Sequence, residues 1–219
     1  MCCLLNNCIG RGRCKVGIRI IVTESLPVLH LASSSPRRTE ILTALGIAFT
    51  AHGVDVDERR EGDETPDAMV LRLALAKAAA ARQDQSGPVL AADTAVVIDD
   101  MIFGKPRDRS DALAMLACLS GRIHRVMTGV ALQWDGGQET ALSVNEVTFR
   151  EISPDEALAY WQSGEPCDKA GAYAIQGRGG VFVKAIRGSY SGVMGLPVFE
   201  TAQLLAGAGI NIIESVVTA

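Results

Sequence analysis

Residues Val28-Leu29-His30-Leu31-Ala32 form a short apolar strand pattern that runs into Ser33-Ser34-Ser35 and then into a helix opening at Pro36-Arg37-Arg38. This strand-to-helix handover constrains the chain more than any other segment. Ser35 suits an N-cap, and Pro36 suits the first helical turn, where no backbone donor is wanted. Free N–H groups and the positive dipole end at such a terminus attract anions. Arg37 and Arg38 add two permanent charges there, against the dipole's own preference for acids, and guanidinium matches phosphate with paired donors. An anionic ligand accounts for that misfit. An ordinary capped helix with two solvated arginines accounts for the segment equally well.

Strand and helix signals alternate from there on. The first helix spans 36–45, with Gly46 as its C′ residue, and a strand follows over 47–52. Thr65-Pro66-Asp67 opens a long alanine-rich helix to Arg82, with Val70, Leu73 and Ala74 at core spacing. An apolar strand covers 88–98. Ser110 caps a helix ending near Leu119 at Ser120-Gly121. Two long antiparallel strands, 122–134 and 139–151, are joined through Asp135-Gly136-Gly137. Ser153-Pro154-Asp155-Glu156 fits a capping box for a helix to Ser163. The stretch from Gly171 to Gly195 holds seven glycines among short apolar runs, and Pro197 opens a last helix to Ala206. Hairpins mixed with helical crossovers predict an α/β fold with a mixed sheet rather than a purely parallel one.

At 219 residues, the chain fits one large domain or two joined lobes. A net charge of −4 argues against broad nucleic-acid or anionic-membrane binding, so a phosphate site must be a local basic cleft. No apolar run is long enough to cross a membrane. Cys2, Cys3, Cys8 and Cys14 crowd the N-terminus while Cys118 and Cys167 lie far downstream; the spacing matches neither zinc knuckles nor a disulfide framework. Free thiols without a clear secretory signal favour the cytoplasm. Residues 1–27, with Arg11, Arg13, Lys15 and Arg19 but no h-region, read as an extension outside the fold, and 28–219 as the domain.

Asp93 is the most telling acid. It sits mid-strand between Val89-Leu90-Ala91-Ala92 and Thr94-Ala95-Val96-Val97, where a carboxylate is costly unless it binds a metal, pairs with a cation or takes a catalytic proton. A salt bridge or a bulge cap would be its structural explanation. Val54-Asp55-Val56-Asp57-Glu58 supplies more carboxylates at a strand end, and hard cations such as magnesium want such oxygens beside phosphates. Lys77 on the long helix and Lys105 in Gly104-Lys105-Pro106-Arg107-Asp108 gain interest only if they converge with Arg37 and Arg38 opposite Asp93. His30, His52 and His124 lack metal-ligand spacing and read as structural, and phosphate-loop, dinucleotide and nucleophile-elbow motifs are absent from the sequence.

Together, Ser33-Ser34-Ser35-Pro36-Arg37-Arg38, Ala92-Asp93-Thr94, Gly104-Lys105-Pro106-Arg107-Asp108, Leu119-Ser120-Gly121-Arg122-Ile123-His124, the run from Asp168 to Gly177 and Gly195-Leu196-Pro197-Val198-Phe199-Glu200-Thr201 resemble the Maf family of nucleotide pyrophosphatases, named for septum-formation inhibition. The likeness covers about 28–209. It implies an elongated two-lobed α/β fold with a deep cleft, related to the inosine-triphosphatase architecture. It also implies hydrolysis of a nucleoside triphosphate to monophosphate and pyrophosphate with a divalent metal, Mg2+ or Mn2+. By that resemblance Asp93 accepts the proton of the attacking water and, with Glu58, lies at the metal. Ser33, Arg38, Lys77 and Lys105 hold the substrate's phosphates. Arg37, Thr94 and Gln176 fall on specificity positions of the dTTP/UTP subfamily. A glutamine amide both donates to and accepts from a pyrimidine imide edge, whereas a carboxylate only accepts. The resemblance further implies a homodimer. The alternatives are a 7-methyl-GTP or inosine-triphosphate pyrophosphatase, against which Gln176 speaks, and a nucleotide-sensing regulator of cell division without turnover.

Overall fold

The computed structural model describes residues 28–83 and 85–215; the extension expected at 1–27 lies outside the described residues. Among the described residues, seven strands form one sheet: β1 (Leu29–Ala32), β2 (Phe49–His52), β3 (Val89–Ile98), β4 (Met101–Phe103), β5 (Ile123–Trp134), β6 (Gly137–Phe149) and β7 (Val183–Arg187). The order is β2-β1-β3-β5-β6-β7, with β4 beside β3. β1 pairs parallel with β2 and β3, and every other pairing is antiparallel, so the sheet is mixed as the alternating signals predict. The helices are α1 (Pro36–Ala44), α2 (Pro66–Arg82), α3 (Arg109–Leu119), α4 (Pro154–Gln162), α5 (Tyr190–Met194), α6 (Val198–Gly207) and α7 (Ile212–Ser215).

Local chemistry sets most of these limits. Gly46 ends α1 at φ 70°, the left-handed geometry a C′ glycine supplies. Ser153 and Glu156 complete the capping box of α4. Asp108, not Ser110, caps α3: its carboxylate accepts the Asp111 N–H, and Ser110 lies inside the helix. The hairpin turn is tighter than expected, because Trp134 pairs with Gly137 and only Asp135-Gly136 loop out. The segment 171–195 holds short 3-10 turns, β7 and α5, elements too brief to show a period.

The pleat of β3 divides its side chains between two faces. Leu90, Ala92, Val96 and Ile98 face one way and pair on that face with Leu132, Val130 and Val126 of β5. Two cores build on it. Leu29, Leu31, Leu42, Leu196 and Leu205 close one with α1 and α6; Leu116, Leu119, Phe149, Tyr160 and Phe182 close the other with α3 and α4. Each fully buried leucine contributes about 1.5–3 kcal/mol. Between the cores lies a polar pair, Thr94 opposite Thr128, so the apolar packing on this face falls into two clusters along one sheet.

The opposite face is covered by α2 through small residues. Ala74 and Ala78 pack on Ala32, Ala91 and Ala131. Gly129, which pairs directly with Asp93, lets the helix come closer still: a Cβ there would lie 2.5 Å from the Val70 carbonyl oxygen. That neighbour is helix backbone and cannot swing aside. Gly129→Ala should therefore destabilise the fold by about 1–3 kcal/mol, the usual cost of overpacking, read as a lower urea midpoint at unchanged slope. An unchanged midpoint would contradict this close helix–sheet contact.

Candidate active site

The sheet has a notch. β1 pairs with β3 only at Val89 and Leu90, and β4 pairs only with Val96 to Ile98, so among the described residues Ala91–Ala95 have β5 on one side and no strand on the other. The notch opens both faces of β3 to one cleft of about 370 Å³, within the range of small-molecule sites. A divergence of neighbouring strands at a strand's carboxyl end is where α/β sheets bind ligands. Ser33, Glu58, Arg37, Arg38, Lys77, Asp93, Thr94 and Lys105 all line it.

Asp93 projects to the α2 side and Lys77 reaches down to it. Lys77 Nζ donates to Asp93 Oδ1 at 2.6 Å and sits 2.6 Å from Glu58 Oε1 on the loop after β2. Lys77 and Asp93 are each 9% exposed. Of the explanations that the sequence leaves open for Asp93, the cation partner is present, and the same acid lines the cleft. Burial pushes Asp93 above the usual aspartate value, against the pull of Lys77 and Arg38. Burial also works against Glu58, but Lys77, with Lys105 and Arg38 behind it, wins and holds Glu58 below the usual carboxylate range.

On the other side of β3, Arg38 ties three elements together. Its Nε donates to the Gly195 carbonyl at 2.8 Å, Nη1 to Ser33 Oγ at 3.1 Å and Nη2 to Thr94 Oγ1 at 3.3 Å. Thr94 meets Thr128 Oγ1 at 3.0 Å, and Thr128 donates to the Gly192 carbonyl. Desolvation pushes the Arg38 guanidinium down to about 10, which leaves it charged at neutral pH. Arg37 faces the cleft without a hydrogen bond or ion pair among the described residues, and desolvation lowers it despite Asp168 and Glu40. An unpaired, half-buried arginine is unfavourable until an anion or acceptor arrives.

The start of α1 fits the same need. Ser35 occupies the N-cap but its side chain makes no capping bond; Ser33 Oγ instead accepts from the Ser35 N–H at 3.2 Å. The first-turn N–H groups thus have no side-chain acceptor and stand at the cleft wall. Further along, the wall turns apolar, with Val96, Val126, Ala170, Tyr173, Ile175 and Val193. Asp168 and Tyr173 are the site residues that sequence reasoning gave no role, although both stand in the run from Asp168 to Gly177. Gln176 is the one predicted residue that does not line the cleft: it is exposed, directly after the buried Ile175 that does.

Asp93 Oδ1 and Glu58 Oε1 each lie 2.6 Å from the Lys77 ammonium, which brings both carboxylates to one part of the cleft. Among the described residues no group of three or more His, Cys, Asp or Glu could hold a metal by itself. A magnesium-type ion held by Asp93 and Glu58 would have to draw its other ligands from phosphate oxygens and waters.

A curated dTTP/UTP pyrophosphatase of Saccharophagus degradans is 52% identical over 182 residues, 81% of this chain and 87% of its own. Another, of Alkalilimnicola ehrlichii, is 52% identical over 189 residues, 83% of this chain and 93% of its own. A solved nucleoside-triphosphatase / dITP/XTP pyrophosphatase from Mycobacterium abscessus is more distant, 18% identical over 57% of this chain and 74% of its own, at a TM-score of 0.35. The model of the Maf-like protein family matches residues 28–208, and the chain belongs to that family.

Proposed function

We propose that this protein hydrolyses pyrimidine nucleoside triphosphates, dTTP and UTP, to the monophosphate and pyrophosphate. The observation that carries the reading is Asp93, a buried carboxylate set in the sheet notch with its pKa raised and a lysine at one oxygen. The relatives named dTTP/UTP pyrophosphatase support the choice of reaction and substrate.

On this reading Lys77, Lys105, Ser33, Arg38 and the open start of α1 hold the triphosphate. Asp93 Oδ1 is taken by Lys77, which leaves Oδ2 to accept a proton from water. The water oxygen bonds to the α-phosphorus, the bridge to the β-phosphate breaks, and pyrophosphate leaves; the water's proton passes to Asp93. The lysines and Arg38 stabilise charge that develops on the phosphate oxygens in a partly dry cleft. Asp93 and Glu58 would hold the divalent metal, Mg2+ or Mn2+, which when bound neutralises phosphate charge. Arg37, Thr94 and Gln176 select the base, and Gln176 reaches it only if the exposed side chain folds over a bound nucleotide. The same reading puts the enzyme in the cytoplasm as a homodimer, without nucleic-acid or membrane partners. The acidic net charge speaks against broad binding to nucleic acid or to an anionic membrane surface.

The test is product analysis over a panel of dTTP, UTP, ITP and 7-methyl-GTP with magnesium or manganese. We expect monophosphate and pyrophosphate in equal amounts, with dTTP and UTP fastest. Orthophosphate as the first product, or a purine preference, would contradict the proposal.

The pH dependence follows from the Asp93 environment. Its ionised form is the base, and burial raises its pKa, so kcat/KM should fall tenfold per pH unit below that raised value. The acid limb should lie clearly above the ordinary aspartate value of about 3.9. A profile flat down to that value would exclude Asp93 as the base.

A further inference from the structure

Tyr160 and Glu165 form a cluster that the reaction itself does not use. The Tyr160 hydroxyl donates to Glu165 Oε1 at 2.7 Å and accepts from the Ala174 N–H at 3.0 Å. Glu165 Oε1 also accepts the Gly179 N–H at 3.0 Å, and Oε2 accepts the Arg178 N–H at 2.9 Å. One phenol and one carboxylate thus satisfy three backbone donors, from both ends of a single loop, Ala174–Gly179. The loop is wrapped tightly around them. A Cβ on Gly177 would overlap the Glu165 carboxylate, and one on Gly179 would lie 2.5 Å from the Tyr160 hydroxyl oxygen. The phenol is itself fixed, buried in the second core with its ring edge-on to Phe182 at 5.2 Å.

The same loop reaches the apolar end of the cleft through Ile175, which lines it next to Tyr173 just before the loop, and Gln176 follows. The phosphate-holding groups stand on other elements: Ser33 before α1, Lys77 on α2, Lys105 after β4. We propose that Tyr160 and Glu165 are positioning residues for nucleobase discrimination, clamping the loop Ala174–Gly179 from behind without touching the substrate. The inference rests on the function proposed above. Its chemistry asks for a carboxylate. A glutamine at this position would turn an NH2 donor toward a backbone N–H or toward the phenol, leaving a donor unpaired. A phenylalanine at 160 would strip the Ala174 N–H of its acceptor while keeping the ring.

Glu165→Gln and Tyr160→Phe separate the two ends of the cleft when a nucleotide is compared with inorganic tripolyphosphate, which has no base. We expect each variant to raise KM for dTTP by about tenfold and to shrink the kcat/KM ratio of dTTP over ITP by a similar factor, as a loosened contact wall would. The inhibition constant of tripolyphosphate should stay within about twofold of wild type, because the clamp does not reach the phosphate end. An unchanged dTTP-to-ITP ratio would overturn the proposal, and so would an equal weakening of dTTP and tripolyphosphate. Tyr160→Phe, which deletes a single hydroxyl, carries the test if Glu165→Gln fails to fold. Wild-type protein inactive on every nucleotide would count against the proposed function; active wild type with unaltered variants would count against the clamp alone.

Discussion

The contact of Lys77 with Asp93 and Glu58 is the interaction on which the site depends. A buried ion pair is a poor way to stabilise a fold, since apolar replacements of similar volume are often neutral or better, while loss of one partner costs about 3–5 kcal/mol. A chain that places an aspartate in the middle of its central strand and a lysine on the helix above it accepts that liability. The geometry explains the use: one ammonium bonds two carboxylates at 2.6 Å each, offsets part of their charge and leaves Asp93 a second oxygen at the edge of a cleft.

Everything around that contact serves to bring α2 down on β3. Alanines on both surfaces and Gly129 beside Asp93 remove the side-chain layer that normally separates helix from sheet. A long lysine on that helix then reaches the strand. Among the described residues the same strand lies bare on one edge from Ala91 to Ala95, because β1 pairs with it only as far as Leu90 and β4 ends at Phe103 opposite Val96. Two cores flank the gap, so the notch is held open by packing on either side rather than by a loop.

Much of this is legible in the sequence, and what is not has physical causes. The handover at Ser33-Ser34-Ser35-Pro36, the long helix to Arg82 and the 134–137 hairpin follow from local capping, period and turn chemistry, which need no tertiary knowledge. The oddity of Asp93 is legible too, as a charge among valines and alanines. Its partner is not, because sequence separation of 16 residues says nothing about which helix face meets which strand face. The sequence puts the cap of α3 at Ser110, but Asp108 takes it, since both are good acceptors two residues apart and local chemistry alone does not rank them. The segment from Gly171 to Gly195 resists reading because its 3-10 turns, β7 and α5 are too brief to show a period, and the N–H groups of Ala174, Arg178 and Gly179 pair with the side chains of Tyr160 and Glu165 instead of within a regular element. Gln176 shows the same limit: a motif places it near a base, whereas the fold puts it at the rim, exposed beside Ile175.

The role of Asp93 is the centre of this account, and Asp93→Asn tests it most directly. The amide keeps size and shape but cannot take a proton at neutral pH. Single-turnover pyrophosphate release at saturating dTTP and metal should fall by about 10²–10⁴-fold, while the variant keeps its circular dichroism. Wild-type turnover in a folded Asp93→Asn protein would contradict the assignment of Asp93 as the proton acceptor, and the reading of the notch as a catalytic site would fall with it.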